Sequence, residues 1–399
     1  MKRLIIQLWL FALVVITGCS KDESPNTSGE DPQPNENPTI SLADENATEE
    51  TRALYANLWA IQQEGTMFGH HDDLLYGRNW LAEQGRSDIQ EITGDYPAVY
   101  SVDLAEVMDP ESALDPYELN EDRKRTIIEA FERGEVITAN AHLNNPATGG
   151  DAWDNSGDAV TKVLQDGSQA NIKFKRWLDN LANFAQNLTD ANGVQIPLLF
   201  RPFHEHTQTW SWWGQNSTTE AEFVELWRFT VDYLKNEKEV HNLIYAISPQ
   251  LDGIGSKETF LFRWPGDDYV DFIGMDSYHG TNTSAFSSNL RNLSQLSREK
   301  MKPCGVTETG IEGIRNDNGE PYDNYWTQEI LPAINDREIS MIIMWRNEYD
   351  PEGIGHHYYA PFPDHSSVPD FMEFYESSET LFSSDLPEMY KPVSGIEVN

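Results

Sequence analysis

The chain has 399 residues with 66 acidic and 28 basic side chains, a net charge of −38, 39% hydrophobic residues and 12 tryptophans. That charge excludes nucleic acid, which needs a basic footprint, and excludes a polyanionic sugar on the same ground. The acidity itself reads as solubility and surface self-repulsion, and two cysteines build neither a disulfide framework nor a thiolate metal site.

In chain order, Lys2 and Arg3 precede a short apolar stretch, Leu4 to Ile16, too short to span a bilayer comfortably. It closes in Ile16-Thr-Gly-Cys19, which resembles the lipobox of bacterial lipoproteins. The resemblance implies removal of a signal peptide, residues 1–18, and lipidation of Cys19. Ser20-Lys-Asp-Glu23 resembles the acidic export signal of some Bacteroidetes lipoproteins. That implies an outer-membrane lipoprotein facing the cell surface, the periplasmic face being the alternative, with membrane contact only through the Cys19 anchor. Residues 19–41 are rich in Pro, Asn, Ser, Asp and Glu. Such a segment buries too little apolar surface to offset its ordering entropy, which predicts a flexible tether. Residues 42–399 remain for the fold, enough for one large barrel with decorated loops.

Eight short apolar runs follow: Thr66–Gly69, Pro97–Asp103, Val136–His142, Ile196–Glu205, Asn242–Ser248, Asp271–Tyr278, Cys304–Glu308 and Ser340–Asn347. Helical patterns lie between them at Glu49–Glu64, Asn120–Arg133, Asn171–Asn187 and Thr218–Lys235, the last opened by Ser217 and Glu220 in capping-box spacing. The runs are near-continuously apolar, as parallel strands covered on both faces must be. Strand–helix alternation eight times over predicts an α/β fold, a single-domain (β/α)8 TIM barrel. A doubly wound sheet would carry a Gly-rich loop after its first strand, and none is present.

Seven runs end in functional side chains: His70 and His71, Asp103, His142, His204 and Glu205, Asp276 and Tyr278, Glu308, Trp345 and Arg346. In this barrel the C-terminal rim is where active sites sit. Glu205 and Glu308 close the fourth and seventh strands, so their carboxyls converge across the mouth. Two carboxyls of separate origin, set among tryptophans, are what glycosidic bond cleavage requires, and their environments should push their pKa values apart. Trp210, Trp212, Trp213 and Trp345 are placed to stack on pyranose rings, and Trp59, Trp177 and Trp227 in the core. Trp153, on the loop after the third strand, walls a subsite or pins the loop. Arg201 holds a rim carboxylate from below or forms a core ion pair. Strand periodicity would set His204 and His206 on one face as a two-histidine zinc site, but no further ligand is presented and no metal is expected.

The run Arg201-Pro-Phe-His-Glu-His-Thr-Gln-Thr-Trp-Ser-Trp-Trp-Gly214 resembles the acid/base signature of glycoside hydrolase family 26, best known for β-1,4-mannanases. Gln208 stands where glycine is usual in that family. His142-Leu-Asn-Asn-Pro146, Gly274-Met-Asp-Ser-Tyr278, Thr307-Glu-Thr-Gly310 and Trp345-Arg-Asn347 are similar to further elements, over about residues 50–380. The resemblance implies a retaining enzyme without a cofactor, with Glu205 as acid/base and Glu308 as nucleophile. It further implies that His142 lines the glycone side, that His204 orients the nucleophile or the sugar, and that Tyr278 touches the nucleophile. Trp345 then floors the −1 subsite and Arg346 reaches −2, with Asp276, Trp210 and Trp153 also meeting substrate. The implied partner of this monomer is neutral β-mannan, as polysaccharide or oligosaccharide. Another β-glycanase, such as a β-1,3-xylanase or mixed-linkage β-glucanase, is the alternative within the family. A non-catalytic glycan-binding protein is the alternative outside it.

Overall fold

A computed structural model describes residues 38–112, 117 and 119–399. The signal segment, the Cys19 anchor and most of the expected tether lie outside the described residues. The expected tether runs too far: Thr39–Ile40 pairs in parallel with Glu397–Val398, so this stretch belongs to the fold.

Eight strands form the centre: β1 (Thr66–His71), β2 (Val99–Asp103), β3 (Val136–Asn140), β4 (Leu198–Arg201), β5 (Leu243–Ile247), β6 (Phe272–Ser277), β7 (Cys304–Thr309) and β8 (Met341–Met344). They pair in sequence order, all parallel, and β8 returns to β1 with Met341 opposite Met67. The sheet therefore closes into the expected (β/α)8 barrel. Alternation along each strand divides its residues between two cores. Met67, Val99, Val136, Leu199, Ile244, Phe272, Met341 and Ile343 pack together inside. Phe68, Val102, Ile137, Phe200, Ile247, Ile273 and Ile342 pack against the outer layer. Apolar residues on both faces are why these strands read as continuous runs. Nearer the C-terminal ends the inward positions turn polar, at His71, Asp103, Asn140, Arg201 and Asp276, and that end becomes the site.

The four expected helices occur at Glu49–Ile61, Asn120–Glu132, Gln169–Gln186 and Glu220–Asp232. The capping box of the last uses Thr219 and Glu222, not Ser217 and Glu220; the same spacing occurs twice within six residues. An 18-residue helix, Thr283–Lys300, is not among the four expected. Its serines and asparagines obscure a stripe of Phe286, Leu290, Leu293 and Leu296, and Ser294 satisfies itself by donating to Leu290 O at 2.9 Å. The fourth strand ends at Arg201, earlier than expected. Residues 202–205 form a turn in which Phe203 and Glu205 take φ of 51° and 52°.

Candidate active site

The position of Glu308 follows from an irregularity in β7. Cys304 and Val306 face the outer layer, so strict alternation would turn residue 308 outward too. The register against β6 slips between Val306, opposite Met275, and Glu308, opposite Asp276. This bulge brings Glu308 into the mouth beside Thr307. There Glu308 Oε1 accepts from Arg201 Nη2 and from Asn140 Nδ2 at 3.4 Å, and Oε2 accepts from the Tyr278 hydroxyl at 3.0 Å. Burial and the Glu308 charge keep the Tyr278 phenol protonated, far above its usual range.

Beneath Glu308, Arg201 Nη1 donates to Asp276 Oδ2 at 2.6 Å and to Ser248 Oγ at 2.8 Å, and Thr307 Oγ1 donates to Asp276 Oδ1 at 2.7 Å. Asp276, expected at the substrate, is wholly buried at 0% exposure. Its oxygens are taken by these donors, so it supports Arg201 from below and meets no sugar. Burial pushes its carboxyl up to about 8, and the Arg201 guanidinium offsets this only in part. Burial also works against the Arg201 charge, but Asp276 and Glu308 hold that charge well above its ordinary range.

Glu205 sits in the turn after β4. Its N–H donates to Ser248 O at 2.8 Å, and its carbonyl accepts from Gln208 N at 2.8 Å. Left-handed non-glycine residues such as Phe203 and Glu205, on either side of His204, cost roughly 1–3 kcal/mol each, and such strain collects at functional sites. Glu205 Oε2 accepts from Trp210 Nε1 at 2.6 Å. Burial, then the charges of Glu308 and Asp276, push the Glu205 carboxyl well above its ordinary range. One oxygen each of Glu205, Asp276 and Glu308 lie within 4.8 Å of one another. Three carboxylates so placed would suit a cation, but the Arg201 guanidinium already bonds two of them and supplies the countercharge, so the donor set does not fit a metal.

One wall of the mouth is a relay. Asp103 Oδ2 accepts from His142 Nδ1 at 2.6 Å, and His142 Nε2 lies 3.1 Å from His204 Nε2, so one of these two nitrogens donates and the other accepts. Burial works against the Asp103 charge, yet His142 holds the carboxyl below its usual range. Burial drives His204 far below the usual imidazole range, with His142 and Arg201 adding to it. Trp153 is 51% exposed, and its ring stacks on His142 at 5.6 Å and lies 5.5 Å from Trp210. The Trp345 ring meets His142 edge-on at 5.9 Å and stacks on His71 at 4.2 Å, and Arg346 Nη1 donates to the Tyr76 hydroxyl at 3.0 Å.

The family profile described as glycosyl hydrolase family 26 matches residues 43–318. The chain belongs to glycosyl hydrolase family 26. A mannan endo-1,4-β-mannosidase of Bifidobacterium adolescentis is 31% identical over 364 residues, covering 87% of this chain but only 36% of that protein. The chain thus spans little more than a third of that relative. A mannan endo-1,4-β-mannosidase of Bacillus subtilis is 27% identical over 293 residues, 70% of this chain and 75% of its own length. Among solved structures, a family 26 β-mannanase from Bacteroides ovatus superposes with a TM-score of 0.80 at 38% identity, covering 86% of this chain and 98% of that one. A double mutant of the Cellulomonas fimi endo-β-1,4-mannanase does so with a TM-score of 0.80 at 30% identity, covering 90% and 81%.

Within this family 26 barrel several residues fall elsewhere than their pattern suggested. Trp212 and Trp213 are buried and present no face to a ligand. Their indole nitrogens donate to Leu143 O at 2.9 Å and His204 O at 2.7 Å, fixing the loops that carry the site. His204 does not touch Glu308, whose donors are Arg201, Asn140 and Tyr278. His206 turns away to Phe262 O at 3.2 Å and stacks on Phe223, because the turn ends strand alternation before the two histidines can share a face. Asn140 was missed, although counting in twos from Val136 through Thr138 leads to it.

Proposed function

We propose that the protein is a retaining β-mannanase that hydrolyses β-1,4-mannosidic bonds in mannan, glucomannan or galactomannan by double displacement. The carrying observation is the pairing of Glu205 and Glu308 in unlike surroundings with oxygens within 4.8 Å. Retention places the two carboxyls about 5–5.5 Å apart, whereas inversion leaves about 6.5–9.5 Å for a water. Glu308, ringed by three donors, suits the carboxylate that bonds to the anomeric carbon as the glycosidic C–O bond breaks. Among the described residues no cation bonds to Glu205, which keeps its proton by burial and delivers it to the departing oxygen. Water then attacks the mannosyl-enzyme, Glu205 takes a proton back, and Glu308 is released.

Trp345 and Arg346 serve the −1 and −2 subsites in this reading. His142, Tyr278, Trp210 and Trp153 line the cleft around the reacting bond, with the buried His204 behind His142. Mannan is favoured over other β-glycans because the relatives compared above are named for mannan. The Ile16–Cys19 motif supports a lipid anchor at Cys19, and Ser20–Glu23 after it supports delivery to the outer membrane.

The test is product analysis on β-1,4-mannan, β-1,3-xylan and barley β-glucan with wild type and Glu308→Ala. Manno-oligosaccharides from the wild type alone are expected. Products from another glycan only would overturn the substrate, and binding without turnover on all three would overturn the enzymatic reading in favour of glycan capture.

A further inference from the structure

The reaction scheme leaves unused two buried polar residues at the end of β1. The His71 ring lies against the Trp345 indole at 4.2 Å and 22°, and His71 Nδ1 meets Ser101 Oγ at 2.8 Å. Asp72 Oδ2 accepts from the Tyr76 hydroxyl, whose oxygen accepts in turn from Arg346 Nη1 at 3.0 Å, and the same Oδ2 lies 3.5 Å from His71 Nε2. His71 and Asp72 are each 1% exposed, and Asp72 holds a left-handed φ of 54°. Burying an imidazole and a carboxylate costs free energy that an aliphatic pair would not, and the backbone of Asp72 adds strain. Packing alone does not call for these residues. Their pairing is residue for residue: His71 beneath Trp345, and Asp72 behind Arg346.

We infer that His71 and Asp72 are positioning residues for the glycone half of the cleft. His71 sets the height and tilt of the indole on which the reacting sugar lies, and Asp72, through the Tyr76 hydroxyl, fixes the Arg346 guanidinium. This rests on the reading of Trp345 and Arg346 as the −1 floor and −2 contact. The two residues then act on different kinetic constants. A displaced floor moves the anomeric carbon relative to Glu308, and a misplacement near 1 Å can cost up to about 10²-fold in rate. A loosened Arg346 weakens binding of ground and transition state alike, which raises KM and spares kcat.

The experiment compares His71→Ala, His71→Phe and Tyr76→Phe, assayed on whichever of the three glycans the wild type cleaves, with thermal melts alongside. His71→Ala should lower kcat at least about tenfold, and His71→Phe, which restores a flat ring, should recover it to within about threefold. Tyr76→Phe removes one oxygen and should raise KM about fivefold with kcat within about twofold. A wild-type kcat in His71→Ala, or an unchanged KM in Tyr76→Phe, overturns the inference. Should His71→Ala fail to fold, Tyr76→Phe decides alone. Cleavage of a glycan other than mannan overturns the mannanase reading while these ratios still test the positioning. A wild type that neither cleaves nor binds any of the three overturns both.

Discussion

Glu205 and Glu308 are the same residue chemically, and only their neighbours assign them different work. Glu308 receives a guanidinium, an amide and a phenol; Glu205 receives one indole N–H. Burial therefore raises the Glu205 carboxyl, and its acid form persists to higher pH. In the proposed mechanism the first step requires protonated Glu205, so kcat/KM on mannan should fall as pH rises through that raised pKa. Glu205→Gln should remove this alkaline limb and cost about 10²- to 10⁴-fold on mannan. On an aryl β-mannoside with an acidic phenol, whose departure needs no proton, formation of the glycosyl-enzyme should be largely spared. A pH profile of both substrates checks it, and an unchanged alkaline limb in Glu205→Gln would reassign the acid. The two glutamates were legible in the sequence because each closes an apolar run beside aromatic or glycine-flanked motifs. Asp276 was misread for the same reason, since a strand-end carboxylate looks alike whether it faces a sugar or an arginine.

Among the elements, strands were easier to read than the turns that finish them. Eight runs with apolar residues on both faces can hardly be anything but a covered parallel sheet. Their last residues obey the turn: β4 stops at Arg201, and the left-handed Phe203 and Glu205 deliver the acid. A bulge in β7 delivers its partner, and nothing in Cys304-Gly-Val-Thr-Glu marks the extra residue. The helix Glu220–Asp232 gives a smaller instance, with two overlapping capping patterns and one in use. Thr219 Oγ1 accepts from Glu222 N at 3.2 Å, and Glu222 Oε2 accepts from Thr219 N at 2.9 Å. Thr219→Ala should cost about 1 kcal/mol in urea unfolding and leave the rate on mannan unchanged. An unchanged urea midpoint would show that this cap contributes nothing to the fold.

For the whole molecule, the acidity read at the outset as a surface property also extends into the interior. Asp271, just before β6, accepts from Ala43 N at 2.6 Å and Tyr245 N at 2.8 Å. Glu135, just before β3, accepts from Arg133 and from Ser383 Oγ at 3.0 Å. Both lie at the end of the barrel opposite the site, and they fasten segments from the two ends of the fold to it. Burial outweighs these donors, raising Asp271 to about 6 and Glu135 to about 7. A carboxyl raised above its unfolded value near 4 contributes stability that is complete below that value and lost as pH rises through the folded value. Repulsion within a net charge of −38 acts in the same direction. The melting temperature in low salt should therefore be higher at pH 5.5 than at pH 8, by several degrees. Salt separates the two causes, because about 0.5 M screens exposed charges within a few ångströms and leaves buried carboxyls largely unscreened. If repulsion dominates, salt at pH 8 should restore the melting temperature. If the buried pair dominates, the pH difference should survive in salt and shrink in Asp271→Asn. A melting temperature that instead climbs from pH 5.5 to 8 would mean that the donors around Asp271 and Glu135 outweigh their burial, and that both carboxylates are ionised in the fold.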